Sequence, residues 1–429
     1  MKVTILSKPY TRLNNCFRQC LITSRVASAT LCLTWFCVTS VVAQSSKTNV
    51  DPAALRRSSF TWTQAEREFG FAHWDWVYAG RVVDRGAKER PLPIGRPLSR
   101  FRAGTGDAAE LERFIDDEKV AGMIVLHNGK LRLERYALAH SATSRWISQS
   151  VAKSVTSTLV GAAVKDGFID SIDDPVTKYI PALLGSGYDG VTIRQVMTMT
   201  SGVRWNEDYN DPKADIARFY SEPITPGMDA TVSYMRRLPR ANLPGTKWNY
   251  NTGETHLLGV IVTSATSRPL AKYLSEKIWA PYGMGQPAFW MTDRRHHELA
   301  GCCLQAGLRD FARFGQFVLD GGRIDGRSVV PDGWFEAATQ TQQATSYAGT
   351  GYGYQWWTAE DGSFSAIGIH GQLIHIDPAR RLVIAINSAW PVATGQDRSA
   401  ARQQMLRMIA KMVDAEDRRK RPVGGVKYQ

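Results

Sequence analysis

Met123-Ile124-Val125-Leu126-His127-Asn128-Gly129-Lys130-Leu131-Arg132-Leu133-Glu134-Arg135-Tyr136 reads as two strands about a two-residue turn. Asn-Gly takes up the positive backbone angles of a tight hairpin turn more readily than other pairs, so these strands pair antiparallel. Just upstream, Asp107 followed by Glu110 marks a helix start, with Leu111, Phe114 and Ile115 as its apolar face. Downstream, residues 150–291 carry mostly helical spacing, with Val151, Val155 and Leu159 on one face and Leu270, Tyr273, Leu274 and Ile278 on another. A further helix is expected over 308–319. Strand patterns return at 352–357, 365–369, 373–376 and 382–387, and a last amphipathic helix carries Met405, Met408, Ile409 and Met412. Helix, hairpin, helical block, strands and final helix imply an α/β fold of the α+β type. An antiparallel β-sheet built from both ends of the chain is flanked by helices, with a large, mainly helical insertion over about 155–300.

The chain ends read differently. Residues 1–43 hold Lys2, Lys8, Arg12, Arg18 and Arg25 without an acidic residue, then an apolar stretch and the small residues Val41-Val42-Ala43. This is the pattern of a cleaved export signal and predicts a periplasmic or secreted protein; the rival is an uncleaved inner-membrane anchor. Removing these five basic residues lowers the net charge from +13 to +8. What remains is spread along the chain apart from Arg418-Arg419-Lys420-Arg421, so a solvated surface is expected and no nucleic-acid partner. Residues 44–100, rich in Trp, Arg and Pro, are expected to form an irregular extension, and 416–429 a disordered basic tail. Of six cysteines, only the adjacent Cys302 and Cys303 lie outside the signal. They are read as two buried small side chains rather than a strained vicinal disulfide.

The chemistry begins at Ser150-Val151-Ala152-Lys153. Residues at i and i+3 are neighbours on a helix, so the amine can reach the hydroxyl. An alcohol becomes a nucleophile when a base takes its proton, and a lysine can be that base once burial lowers its pKa. Ser150 at a helix N-terminus would also have free backbone N–H groups at hand for developing negative charge. By itself the tetrapeptide is a frequent chance match. A second element, Pro244-Gly245-Thr246-Lys247-Trp248-Asn249-Tyr250-Asn251-Thr252-Gly253, places Tyr250 at a loop–helix junction, where a nearby ammonium would lower its phenol pKa. A third, Gly368-Ile369-His370-Gly371-Gln372, has glycines that permit close backbone approach.

Together these elements resemble the penicillin-recognising serine hydrolases, namely class C β-lactamases, DD-peptidases, related esterases and the 6-aminohexanoate-dimer hydrolases. Residues 171–176, 191–202 and 308–315 add ordered matches, and the resemblance spans about 101–413. It implies a β-lactamase/transpeptidase-like domain over 101–415. Ser150 matches the acylated serine, Lys153 its partner and Tyr250 the motif tyrosine. Gly371 matches the glycine of the third motif, so the backbone N–H groups of Ser150 and Gln372 would form the oxyanion hole. Tyr209 resembles a substrate-loop tyrosine, and Ile369, His370 and Gly371 would line the substrate.

Two positions depart from the pattern. Thr252 stands where the second motif has asparagine, and Ile369-His370-Gly371 lacks the lysine of Lys-Thr-Gly. Without that cation the 6-aminohexanoate-dimer-hydrolase-like or esterase-like branch is expected, cleaving a small-molecule amide or ester. The rivals are a β-lactamase or DD-peptidase and, from another class, a non-catalytic envelope binding protein on the same fold. No cofactor is expected. No metal is expected either, because His296-His297-Glu298 lacks the spacing of a zinc site.

Overall fold

The computed structural model describes residues 50–98, 101, 106–347 and 349–420. The export segment expected at 1–43 and residues 421–429 of the expected tail lie outside them.

Apart from a two-stranded hairpin at Arg323–Ile324 and Arg327–Ser328, the strands among the described residues are, in chain order, β1 (Gly80–Val83), β2 (Val120–His127), β3 (Lys130–Tyr136), β4 (Arg145–Ile147), β5 (Ala288–Met291), β6 (Leu304–Gly307), β7 (Gln343–Ala344), β8 (Thr350–Tyr352), β9 (Trp357–Ala359), β10 (Phe364–Gly368), β11 (Gln372–Asp377) and β12 (Leu382–Ser388). Eight of them form an antiparallel sheet ordered β3-β2-β12-β11-β10-β9-β8-β7. The hairpin expected at Asn128-Gly129 is present, with φ of 51° and 70° at the two turn residues. Strand β12 from the C-terminal part pairs with β2 from the N-terminal part, which closes the sheet from both ends of the chain.

The principal helices are α1 (Gln64–Ala72), α2 (Gly106–Asp117), α3 (Ala152–Lys165), α4 (Thr252–Thr266), α5 (Leu308–Leu319) and α6 (Gln396–Lys420). Period-two alternation along β2 divides its side chains between two cores. Ile124 and Leu126 join the large core that includes Phe311 and Phe314 of α5. Met123 and Val125 join a second core with Phe114 of α2 and Met405 and Ile409 of α6. The large sheet is therefore covered on both faces, and β12, with all seven residues buried, is apolar nearly throughout.

Two expectations about the ends need correction. The segment 44–100 is not irregular throughout: its described part has regular elements up to Val83 and is irregular beyond it apart from one bridge. It forms α1 under a Thr63–Glu66 capping box, and β1, which pairs with β5 in a second sheet ordered β1-β5-β6-β4. Sequence periodicity missed that sheet because its strands are three or four residues long. The boundary set at 416 also moves, because α6 continues through Lys420. Arg132 donates to Glu416, and Asp417 lies 3.4 Å from His127, so the last turns are tied to the first hairpin.

Candidate active site

The second sheet positions the nucleophile. Ile147 of β4 pairs with Gln305 of β6, and the Ser148 N–H then donates to the Leu304 carbonyl at 2.7 Å. Gln149 follows with φ of +45°, a left-handed conformation that turns the chain sharply. Ser150 therefore sits in a single 3-10 turn, Gln149–Val151, that leads into α3. Its side chain is brought to Lys153 as the i, i+3 spacing requires.

Lys153 is 1% exposed, and its three donors are all engaged. They reach Ser150 Oγ at 3.0 Å, Thr252 Oγ1 at 2.9 Å and the Gly301 carbonyl at 2.8 Å. Burial lowers its pKa to about 8, and the Glu207 carboxylate works in the opposite direction. An amine in that range can give up its proton near neutrality and still recover it.

Tyr250 lies beside this pair. Its ring centroid is 5.1 Å from Lys153 Nζ, and Ser150 is a hydrogen-bonding neighbour of its hydroxyl. The expectation that the ammonium would lower its phenol pKa is reversed. Burial, then the Glu207 charge, push it well above the usual phenol value, and the Ser150 bond offsets only part of that. Tyr250 is therefore a neutral phenol, a proton donor rather than a base. It stacks on Trp357 at 5.6 Å, within an aromatic wall that includes Trp248, Tyr352 and the exposed Tyr347.

Thr252 is the first residue of α4, whose N-cap is Asn251. Its hydroxyl accepts from Lys153, as an asparagine carbonyl could, and donates onward to Glu207. Glu207 is the site residue that sequence reasoning passed over. It also accepts from the Thr252 N–H at 3.0 Å, the Tyr209 hydroxyl at 2.7 Å and the Trp205 indole. Tyr209 is thereby brought to the site, and Phe60 of the N-terminal extension packs against it at 5.5 Å.

In the third element it is Gly368, not Gly371, that approaches the nucleophile turn. A Cβ on Gly368 would fall 2.7 Å from the Ser148 carbonyl oxygen and 3.0 Å from the Ser150 nitrogen, so the end of β10 abuts the nucleophile turn. A Cβ on Gly371 would instead meet Ser388 and Trp390 at 2.7 Å. Gln372, assigned to the oxyanion hole, is 1% exposed; its residue pairs with Gly368 in the sheet, and its amide bonds both backbone groups of Ser388. His370, expected to line the substrate, has its ring turned into the protein. It is buried, its Nδ1 lies 2.8 Å from the Trp390 carbonyl, its ring packs on Phe71, and burial lowers its pKa to about 4. Ile369 remains half-buried beside Gly368. Aligned on Gly368, the third motif reads Ala366-Ile367-Gly368, so a lysine is missing in either register.

Cys302 and Cys303 form a vicinal disulfide, which corrects the reading of two free thiols. Trp290 Nε1 donates to the Leu299 and Cys302 carbonyls, and the Cys303 carbonyl accepts from the Met291 N–H. These bonds fix the turn that brings the two sulfurs together. The same turn presents the Gly301 carbonyl to Lys153, and its N–H donates to His256 Nδ1 at 3.0 Å. Apart from the site, the fold gathers His297 with Asp229 and Asp293, 68 and 4 residues away in sequence. The chain spacing that argued against a metal did not include Asp229.

The Beta-lactamase family model matches residues 108–407. The 6-aminohexanoate-dimer hydrolase of Paenarthrobacter ureafaciens is 29% identical over 354 residues, which covers 77% of this chain and 88% of that protein. A Bacillus anthracis structure, described provisionally as a 6-aminohexanoate-dimer hydrolase, superposes with a TM-score of 0.74 at 25% identity. That match covers 86% of this chain and 98% of the other. A D-stereospecific amidohydrolase from Streptomyces shares the fold at 21% identity and a TM-score of 0.53, over 68% of this chain and 96% of that one.

Proposed function

The chain belongs to the Beta-lactamase family of serine hydrolases, and on that premise we propose that it cleaves an amide or ester bond through an acyl-enzyme on Ser150. The observation that carries this reading is the buried Lys153 amine 3.0 Å from Ser150 Oγ. In its neutral form the amine takes the serine proton as Oγ attacks the substrate carbonyl. The neutral Tyr250 phenol protonates the leaving group and is reprotonated by the Lys153 ammonium, and water then releases the acyl chain with the neutral Lys153 amine again as base. Thr252 holds the amine in line throughout.

The missing third-motif lysine and the aromatic wall of Trp248, Tyr250 and Trp357 favour a substrate whose binding does not depend on a carboxylate paired with a third-motif cation, as in the 6-aminohexanoate-dimer-hydrolase-like and esterase-like branch. A fluorophosphonate probe is expected to label the protein on Ser150 and to leave Ser150→Ala unlabelled. Against p-nitrophenyl esters, the linear 6-aminohexanoate dimer and a chromogenic cephalosporin, the first two are expected to turn over faster. Equal labelling of Ser150→Ala rejects the nucleophile, and preferential cephalosporin turnover moves the reading to a β-lactamase.

The oxyanion hole is assigned to the N–H of Ser150 and, replacing Gln372, the N–H of Ile369, because Gly368 is the glycine that closes on the nucleophile turn. Gly368→Ala is then expected to lower kcat/KM about 100-fold or more, the effect of losing one such donor. Gly371→Ala, at φ of +89° and against Trp390, is expected to lower the melting temperature first. Steady-state kinetics and thermal melts of both variants separate the two registers. A Gly368→Ala variant with wild-type kinetics would reject this one.

A further inference from the structure

We propose that Glu207 is a positioning residue for the catalytic lysine: it clamps Thr252 against Lys153 and supplies the negative charge that sets the pH at which Ser150 becomes reactive. The inference rests on the acyl-enzyme reading above.

Geometry carries the argument. Glu207 uses both carboxylate oxygens on Thr252, one for its hydroxyl and one for its N–H. With its proton committed to Glu207, the Thr252 hydroxyl can offer Lys153 only a lone pair, and it accepts from the amine at 2.9 Å. Tyr209 and the Trp205 indole hold the carboxylate from the other side. Four donors on one side chain leave it committed to the protein, so it is not the residue that receives a substrate group. An asparagine at 252 could meet the lysine through a neutral carbonyl. Here the same contact is made by a threonine backed by a full negative charge.

That charge matters because little else opposes burial at Lys153. Facing the amine are Ser150 from the nucleophile turn, Tyr250 from the loop before α4, Gly301 from the disulfide turn and, on α4, Thr252 and His256. His256 is held neutral by burial and by the lysine itself. Tyr250 is held neutral, as is Tyr209, which reaches the site through Glu207. Cys302 and Cys303 are linked and do not titrate. Glu254, also on α4, is turned to Ser201, Asn251 and Tyr188 and stays protonated to about pH 8. Among the groups that act on Lys153, Glu207 is the carboxylate that raises its proton affinity.

The test is the pH dependence of kcat/KM for p-nitrophenyl acetate in wild type, Glu207→Gln and Glu207→Asp, with fluorophosphonate labelling of Ser150 alongside. Removing the charge should let Lys153 lose its proton more easily. The acidic limb of Glu207→Gln is therefore expected to move at least one pH unit down, about a tenfold change in proton affinity. Its plateau is expected to fall tenfold or more as Thr252 is released. Glu207→Asp, which keeps the charge and withdraws it by one methylene, is expected to show a smaller shift in the same direction. It also serves as the readout if Glu207→Gln fails to fold. A role confined to holding the loop would lower the plateau and leave the limb in place, and that result overturns the inference. Wild type that neither labels nor hydrolyses rejects the acyl-enzyme reading instead, so the two failures are distinguishable.

Discussion

Lys153→Met is expected to lower kcat/KM for an activated ester by about 10⁴, a loss typical of removing one member of a nucleophile–base unit. The size follows from the lack of a substitute. Tyr250 is the other ionisable group at Ser150, and its phenol is held far too weak an acid to serve as a base near neutrality. His256 is neutral, but its Nδ1 is occupied by the Gly301 N–H. Methionine is close to lysine in length and suits a buried position, so the fold is expected to persist. A thermal melt at or above that of wild type would show it, since a buried amine carries a desolvation cost that methionine lacks. Wild-type kcat/KM should climb with pH through about 8 as Lys153 loses its proton, and the residual activity of the variant should lack that limb. Kinetics across pH 6–9 check both statements. A loss of less than tenfold would mean that another group takes the serine proton. Tyr250→Phe should cost less, because it removes a proton donor that water can partly replace.

The legible parts of this molecule were those written in local pattern. The Asn128-Gly129 hairpin, the apolar faces of α2 and α3 and the alternating strands of the large sheet follow from periods of 2 and 3.6 residues, and the structure has them. Ser150 and Lys153 were legible because their spacing equals a helical turn. What escaped was set by contacts between distant segments. Glu207 was in view beside Tyr209, but nothing in Asn206-Glu207-Asp208-Tyr209 announces that Thr252, 45 residues later, will take both its oxygens. Which glycine of the third element meets the nucleophile turn was hidden for a related reason. Gly-Ile-His-Gly offers two glycines three residues apart, and only the packing of β10 on the nucleophile turn shows that Gly368 is the one in contact. The Tyr250 shift had the wrong sign because proximity to an ammonium was weighed without burial or the Glu207 charge. The vicinal disulfide was set aside because an adjacent pair gives no framework; the left-handed turn at Cys303 that accommodates it is a backbone property.

Glu254→Gln is expected to flatten the pH dependence of stability between about pH 5 and 8, an effect reaching a few kcal/mol at the alkaline end. Glu254 is 1% exposed on α4. One oxygen accepts from Ser201, from Asn251 at 3.3 Å and from Tyr188 at 3.4 Å, while the other has no partner. Burial pushes its pKa up to about 8, and the hydrogen bonds offset part of the rise. The sign follows from proton counts. Between the unfolded value near 4.5 and the folded value near 8, the native protein holds a proton that the unfolded chain has released. Stability therefore falls as pH rises through that window, by at most about 1.4 kcal/mol per unit, and levels off above it. Glutamine keeps the size and the acceptor oxygen, adds an N–H₂ in place of the acid proton and does not titrate. Urea unfolding of wild type and variant at pH 5, 6.5 and 8 reads the difference directly. The variant's advantage should be smallest at pH 5 and grow with each step. Parallel curves would show that Glu254 is already ionised in the fold. A second negative charge would then sit at residue 254, close in sequence to Thr252, and the field at Lys153 would no longer be set chiefly by Glu207.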